Sequence, residues 1–218
     1  MKNLILIAAP GAGKGTLSED LLNKYDYVHI STGDLLREQV SKGDALGLEI
    51  KKYQEEGKLV PSEIVYESLV RKLSDPSCDK GYILDGFPRN LEQAREYDKI
   101  LEKSGRDIGM VIVLDIPKED LKTRITGRYM CKECGYIHNI YSSEENLLPK
   151  DGKCNKCGGE LYQRKDDNLE AFETRYNTYL ESTAPLIDFY KEKGCLYTVD
   201  SSKGHLYTLE EVEKLLNN

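Results

Sequence analysis

An α/β fold with a parallel sheet covered by helices on both faces is predicted by three observations. Short apolar, partly β-branched runs alternate with helix-length amphipathic stretches along the 218 residues. The first run leads straight into a glycine-rich loop and then a helical stretch, the order of a P-loop. The loops richest in chemistry fall at the carboxyl ends of the expected strands, where open α/β sheets bind their ligands.

The elements come in order along the chain. Residues 4–9 form an uninterrupted apolar run, as a strand buried on both faces requires, and the strand is expected over 3–8. Residues 15–25 carry apolar side chains at 17, 21 and 22, a helical spacing. Tyr27–Ile30, Tyr82–Asp85, Met110–Asp115 and Leu196–Val199 are the other strands, making five. The other helical stretches are 32–42, 45–55, 62–73, 90–104, 118–127, 167–193 and 208–216, and Pro185 should break or bend the long one. Residues 128–164 show neither helical nor strand periodicity and read as a metal-nucleated excursion from the sheet.

Between the first strand and helix stands Pro10-Gly11-Ala12-Gly13-Lys14-Gly15-Thr16. Its glycines let the backbone curl and turn N–H groups inward. Lys14 stands where a lysine reaches β- and γ-phosphates, and the helix N-terminus adds its dipole. Ala8 occupies the first position of the general pattern, usually glycine, and Gly15 the last. A positive φ at Ala8 would cost about 1 kcal/mol. Thr16 is the nearest hydroxyl to a magnesium ion, and Asp85 closes a strand as a carboxylate suited to hold magnesium through water or to serve a turn.

Four of the six cysteines form two knuckles, Cys131-x-x-Cys134-Gly135 and Cys154-x-x-Cys157-Gly158. A glycine after each second cysteine permits the tight turn that aims backbone N–H groups at sulfur. The pattern predicts a tetrahedral zinc site held by four thiolates, and iron suits the same ligands. A disulfide or a redox pair does not call for two paired knuckles. Cys78 and Cys195 are isolated and read as small, partly buried apolar residues.

The formal net charge is −7, from 31 Lys and Arg against 38 Asp and Glu, so bulk electrostatics favour neither nucleic acid nor anionic membrane. The six-residue N-terminal apolar run is too short for a signal peptide, and no apolar stretch reaches membrane-spanning length. A soluble cytoplasmic protein with reduced thiols is expected. Within the acidic chain, Arg37, Arg89, Arg124, Arg128, Arg164 and Arg175 cluster at strand ends and at the hinges of the cysteine stretch. Singly, each reads equally as a surface ion pair. Together with a P-loop they suit phosphoryl transfer, which needs positioning and charge compensation.

These residues resemble the adenylate kinase family, in its long form with a zinc-binding lid. The matching segments are the P-loop, Ser31-Thr32-Gly33-Asp34-Leu35-Leu36-Arg37, Gly57-Lys58-Leu59-Val60-Pro61, Asp85-Gly86-Phe87-Pro88-Arg89, Gln93, Gly127-Arg128, both knuckles, and Arg164-Lys165-Asp166-Asp167 with Arg175. They occur in the family's order and span nearly the whole chain. Ala8 and Leu17 depart from it, where glycine and glutamine are usual.

The resemblance implies a P-loop core (1–30, 61–127 and 167–218), a helical AMP-binding insertion (31–60) and a zinc-bearing lid (128–166). It implies the reaction ATP + AMP ⇌ 2 ADP with Mg2+, a structural Zn2+, and a monomer without nucleic-acid or membrane partners. Gly11, Ala12, Gly13, Lys14, Gly15 and Thr16 would cradle ATP, with Arg124 at the adenine, Arg128 at the phosphates, and Lys203 on the same side. Thr32, Gly33, Arg37, Lys58, Leu59, Val60, Gly86, Phe87, Arg89 and Gln93, with Arg164 and Arg175, would hold AMP. Arg164 and Arg175 would close over the transferring group, completing with Lys14, Arg89, Arg124 and Arg128 the catalytic set. Rival readings are a kinase for another monophosphate or for GTP, a zinc-ribbon nucleic-acid-binding ATPase, and a silent nucleotide sensor.

Overall fold

The computed structural model describes residues 2–56 and 58–217. Met1, Gly57 and Asn218, which the expected core, insertion and matching segments include, lie outside the described residues. Five parallel strands form the main sheet: β1 (Leu4–Ala8), β2 (Val28–Ser31), β3 (Tyr82–Asp85), β4 (Met110–Asp115) and, last in the chain, β8 (Leu196–Asp200). Their order is β2-β3-β1-β4-β8, which puts β1 in the middle. Register is in step across the centre, with Leu6 opposite both Asp85 and Ile112.

The period-two alternation of a strand divides the core in two. Ile5 and Ile7 of β1 join Val111, Val113, Tyr82 and Leu84 on one face. That face is covered by α3 (Ala45–Glu55), α4 (Ser62–Leu73), α5 (Leu91–Ser104) and α8 (Pro185–Glu192), through Ile50, Leu69, Tyr97 and Tyr190. Leu4, Leu6 and Ala8 join Ile83, Met110, Ile112 and Leu114 on the other. There α1 (Lys14–Lys24), α6 (Lys118–Thr126), α7 (Leu169–Thr178) and α9 (His205–Leu216) contribute Leu21, Ile125, Phe172 and Val212. This is the three-layer P-loop architecture expected. α2 (Thr32–Ser41) follows β2 without a break and packs on α3. No described helix is long and apolar enough to cross a membrane.

Three expectations are corrected. The cysteine stretch is not devoid of strands: β5 (Arg128–Cys131), β6 (Ile137–Asn139) and β7 (Leu161–Tyr162) form a second, antiparallel sheet ordered β6-β5-β7. Strands this short carry too few residues for alternation to register. The 167–193 stretch starts at Leu169, where the Asn168 side chain accepts the Ala171 N–H at 2.9 Å. It is then interrupted by a π-helical turn, Tyr179–Thr183, directly before Pro185. α9 begins at His205, not 208, because Glu144 Oε1 accepts the His205 N–H at 2.8 Å and caps the helix from the cysteine-bearing stretch. A short 3-10 turn at Pro76–Lys80, opened by Asp75, precedes β3.

Candidate active site

The P-loop geometry follows from where glycine is placed. Gly11 and Gly13 take the left-handed conformation, with φ of 89° and 95°. Ala8 does not: it is an ordinary strand residue, 6% exposed and opposite Leu114, so the strain considered for alanine there does not arise. Gly13 caps α1 without a side chain, and the first intrahelical donor is the Leu17 N–H to Gly13 O at 3.0 Å. The N–H groups of the first helical turn have no intrahelical acceptor and are open to a ligand, at the positive end of the helix dipole.

Lys14 folds back so that its Nζ lies 3.2 Å from the Ala8 carbonyl. Burial lowers its pKa, Asp85 opposes that, and Arg89, Arg175 and Arg128 lower it further. Burial likewise lowers the pKa of Arg89, Arg124, Arg164 and Arg175. Cations clustered around two cavities gain most from a multivalent anion among them.

Two cavities open at the carboxyl edge of the sheet. One, of about 750 Å³, is lined by Gly11, Ala12, Gly13, Lys14, Gly15 and Thr16, and by Asp85, Arg124, Arg128 and Lys203. The other, of about 870 Å³, is lined by Thr32, Lys58, Leu59, Val60 and Gln93. Gly33, Arg37, Gly86, Arg89, Arg164 and Arg175 line both, forming a shared cationic wall.

Each part of that wall has a local cause. Ser31 accepts the Asp34 N–H at 3.2 Å, which starts α2 and brings Arg37, paired with Asp34, to the wall. Thr32 Oγ1 donates to Gly86 O at 2.9 Å, and Arg89 Nε donates to the same carbonyl at 2.8 Å. Gly86 is left-handed, and a Cβ there would lie 3.0 Å from both Thr32 Oγ1 and Arg89 Nη2. Gln93 is 2% exposed, and its Oε1 accepts the Arg89 N–H at 2.7 Å.

Phe87 alone of the expected nucleotide-contacting residues lines neither cavity. Its side chain is 1% exposed and meets Tyr66 and Tyr97 edge-on, at 6.1 and 5.8 Å between ring centres. Its place is to pin the 86–89 loop to the core.

Several partners were not assigned from sequence. Asp167 has a fully buried side chain and grips Arg128 through both oxygens, with Arg128 Nε 2.9 Å from Oδ2. Asp166 accepts from Arg175 Nη1 at 2.9 Å. The Arg-Lys-Asp-Asp run signalled them, but not which arginine each would hold. Ser201 receives Arg124 Nη2 on its carbonyl at 2.8 Å and donates its hydroxyl to Ala12 O at 3.0 Å. Nothing in the sequence marks Ser201. Exposed Tyr141, just after β6, also lines the P-loop cavity.

The four knuckle cysteines converge, with all four Sγ atoms within 4.8 Å of one another. The Sγ separations Cys131–Cys157, Cys134–Cys154 and Cys134–Cys157 are 3.4, 3.7 and 3.4 Å. A tetrahedral Zn–S shell asks for about 3.8 Å between sulfurs, so the donor set fits zinc. Gly135 and Gly158 return N–H groups to the Cys131 and Cys154 carbonyls at 3.0 and 2.8 Å, closing each knuckle. The Cys134 N–H lowers the pKa of the Cys131 thiol, whereas the thiols of Cys134 and Cys157 are shifted up.

The cysteine-bearing stretch meets α1 and α9 through side chains, and Asn146 Nδ2 lies 2.9 Å from His205 Nε2. Lys156, between two of the cysteines, meets Glu19 of α1 at 2.9 Å, and Glu144 meets His205.

The sequence model described as adenylate kinase matches residues 6–195. The adenylate kinase of Archaeoglobus fulgidus is 46% identical over 215 residues, covering 98% of this chain and 97% of that protein. That of Thermodesulfovibrio yellowstonii is 46% identical over 199 residues, 91% of each chain. That of Methanosarcina acetivorans is 43% identical over 214 residues, 98% of each. With a family match over most of its length and relatives this similar end to end, the chain belongs to the adenylate kinase family.

Proposed function

We propose that the two cavities hold ATP and AMP at once and that their phosphates meet at the shared wall, giving ATP + AMP ⇌ 2 ADP. Adenylate kinase activity itself follows from the family. The observation that carries the finer reading is the wall, where Arg89, Arg164 and Arg175 border both cavities. An AMP oxygen attacks the γ-phosphorus directly, and the protein supplies position and positive charge.

The P-loop and Lys14 take the ATP phosphates, Arg124, Arg128 and Lys203 complete that side, and Arg164 and Arg175 cover the transferred group. Thr32, Arg37, Arg89, Gln93 and the Lys58–Val60 backbone take AMP. Asp85, with His29 Nε2 3.9 Å away, lines the P-loop cavity near Thr16 and suits a water shell around Mg2+. Magnesium arriving with ATP would neutralise phosphate charge there. Residues 1–30, 61–127 and 167–218 act as the core, 31–60 as the AMP-binding insertion, and 128–166 as a lid that excludes water. We place the enzyme in the cytoplasm as a monomer in adenine-nucleotide homeostasis, without nucleic-acid or membrane partners.

A coupled assay for ADP, run from ATP with each monophosphate in turn, tests the acceptor. Arg89→Ala raises the AMP KM about ten- to hundredfold, the worth of a charge-assisted bidentate contact. ATP affinity changes little. Unaltered AMP dependence in that variant removes Arg89 from the acceptor site.

Zinc in the four-cysteine shell is read as structural, since four thiolates leave no position for substrate. Such binding supplies on the order of 10 kcal/mol to local folding. Chelation, or Cys131→Ser, therefore lowers the melting temperature, while kcat below the new melting point stays within about tenfold. A folded, metal-free enzyme slowed about a thousandfold would give the metal a direct part in transfer.

A further inference from the structure

The π-helical turn between α7 and α8 sits behind the shared wall, and Pro185 accounts for it. Proline has no N–H to return, and in a continuous helix its ring would strike the carbonyl of Glu181, four residues earlier. The ladder slips instead, and the Ala184 N–H reaches Tyr179 O, five residues back, at 2.8 Å. One extra residue per turn rotates the rest of the helix by about 100° around the axis. Arg175, in the preceding helix, faces the wall, while Thr183, within the slipped turn and 9% exposed, faces the 86–89 loop.

Thr183 Oγ1 donates to the carbonyl of Arg89 at 2.8 Å, across 94 residues of sequence. The Arg89 N–H goes to Gln93 Oε1 at 2.7 Å. Both backbone groups of this arginine are thus held by side chains, one from α5 and one from the π turn. The Arg89 Nε is tied to Gly86 O at 2.8 Å, so the guanidinium and the loop backbone move together.

We infer that Thr183 is a positioning residue, whose hydroxyl fixes the Arg89 peptide and thereby the place where the guanidinium meets the acceptor phosphate. The inference rests on the assignment of Arg89 to AMP. Without the hydroxyl, the Arg89 carbonyl must turn toward another donor, and the loop that aims the guanidinium turns with it. Displacements of this size penalise transfer even when no contact to substrate is removed.

The test compares Thr183→Val, which keeps the shape and removes the donor, with Thr183→Ser, which keeps the donor. Thr183→Ala stands in if the valine enzyme does not fold, and melting curves are taken for all. Well below melting, the valine enzyme shows an AMP KM raised about three- to tenfold, the range of one lost hydrogen bond. Its ATP KM stays within about twofold of the parent, and serine restores the AMP KM. An unchanged AMP KM, AMP and ATP constants rising together, or failure of serine to restore would each overturn the inference. Arg89→Ala separates the two layers. If it raises the AMP KM and Thr183→Val does not, only the positioning role falls. If it leaves the AMP KM unchanged, the assignment of Arg89 falls and takes this inference with it.

Discussion

Lys14→Met lowers kcat by about a thousandfold, with every acceptor and at saturating ATP and AMP. Its cation lies in the P-loop cavity, and burial, the largest influence on its pKa, is opposed by Asp85. Methionine keeps the length and removes the charge. The lost stabilisation falls on the transferring phosphoryl group, where preorganised charges act away from water. Because the defect lies on the donor side, changing the monophosphate does not relieve it. A coupled assay over several acceptors, with melting curves as control, checks this. A fall in kcat below about tenfold would place the lysine away from the reacting phosphates.

A compound joining two adenosines through five phosphates binds about a thousandfold tighter than ATP or AMP singly. The two cavities share a wall, so one molecule can occupy both and engage all the wall arginines. Linking converts the second binding event into an intramolecular one, worth about 10²–10⁴ in affinity. Those arginines also repel one another. After burial, Arg128 of the P-loop cavity and Arg37 of the wall lower the pKa of Arg164, and a chain of phosphates relieves that repulsion. Titration calorimetry with the three ligands decides. Hydrogen exchange should show the compound protecting residues 31–56 and 128–166 together. Affinity no better than that of ATP alone rejects paired occupancy and favours a single-nucleotide ATPase or sensor.

Short-range pattern is the part of this molecule that its sequence discloses. The run at β1, the glycines after it and the helix of α1 are contiguous, so strand, loop and cap were legible as one signal. The cysteine knuckles were legible for the same reason, since each is closed by hydrogen bonds within five residues, such as Gly135 N–H to Cys131 O. The features that escaped depend on distant partners. The start of α9 is set by Glu144, 61 residues earlier in the chain. Asp167 is distinguished by burial against Arg128, which composition cannot report. The break at Pro185 was readable, but not that the chain would answer it with a π turn. Phe87 belongs to a motif read as nucleotide-binding, yet apolar burial against Tyr66 and Tyr97 outweighed that association.

The central strand has a consequence for how the molecule comes apart. Ile5 and Ile7 belong to one apolar layer, and Leu4, Leu6 and Ala8 to the other. This five-residue segment, buried throughout, is the boundary the two layers share, and withdrawing it opens both to water together. Neither layer therefore has a route to melt while its neighbour stays whole, and the main sheet unfolds as one cooperative unit. The small sheet of β5, β6 and β7 shares no strand with the large one, so residues 128–166 stand outside that shared boundary.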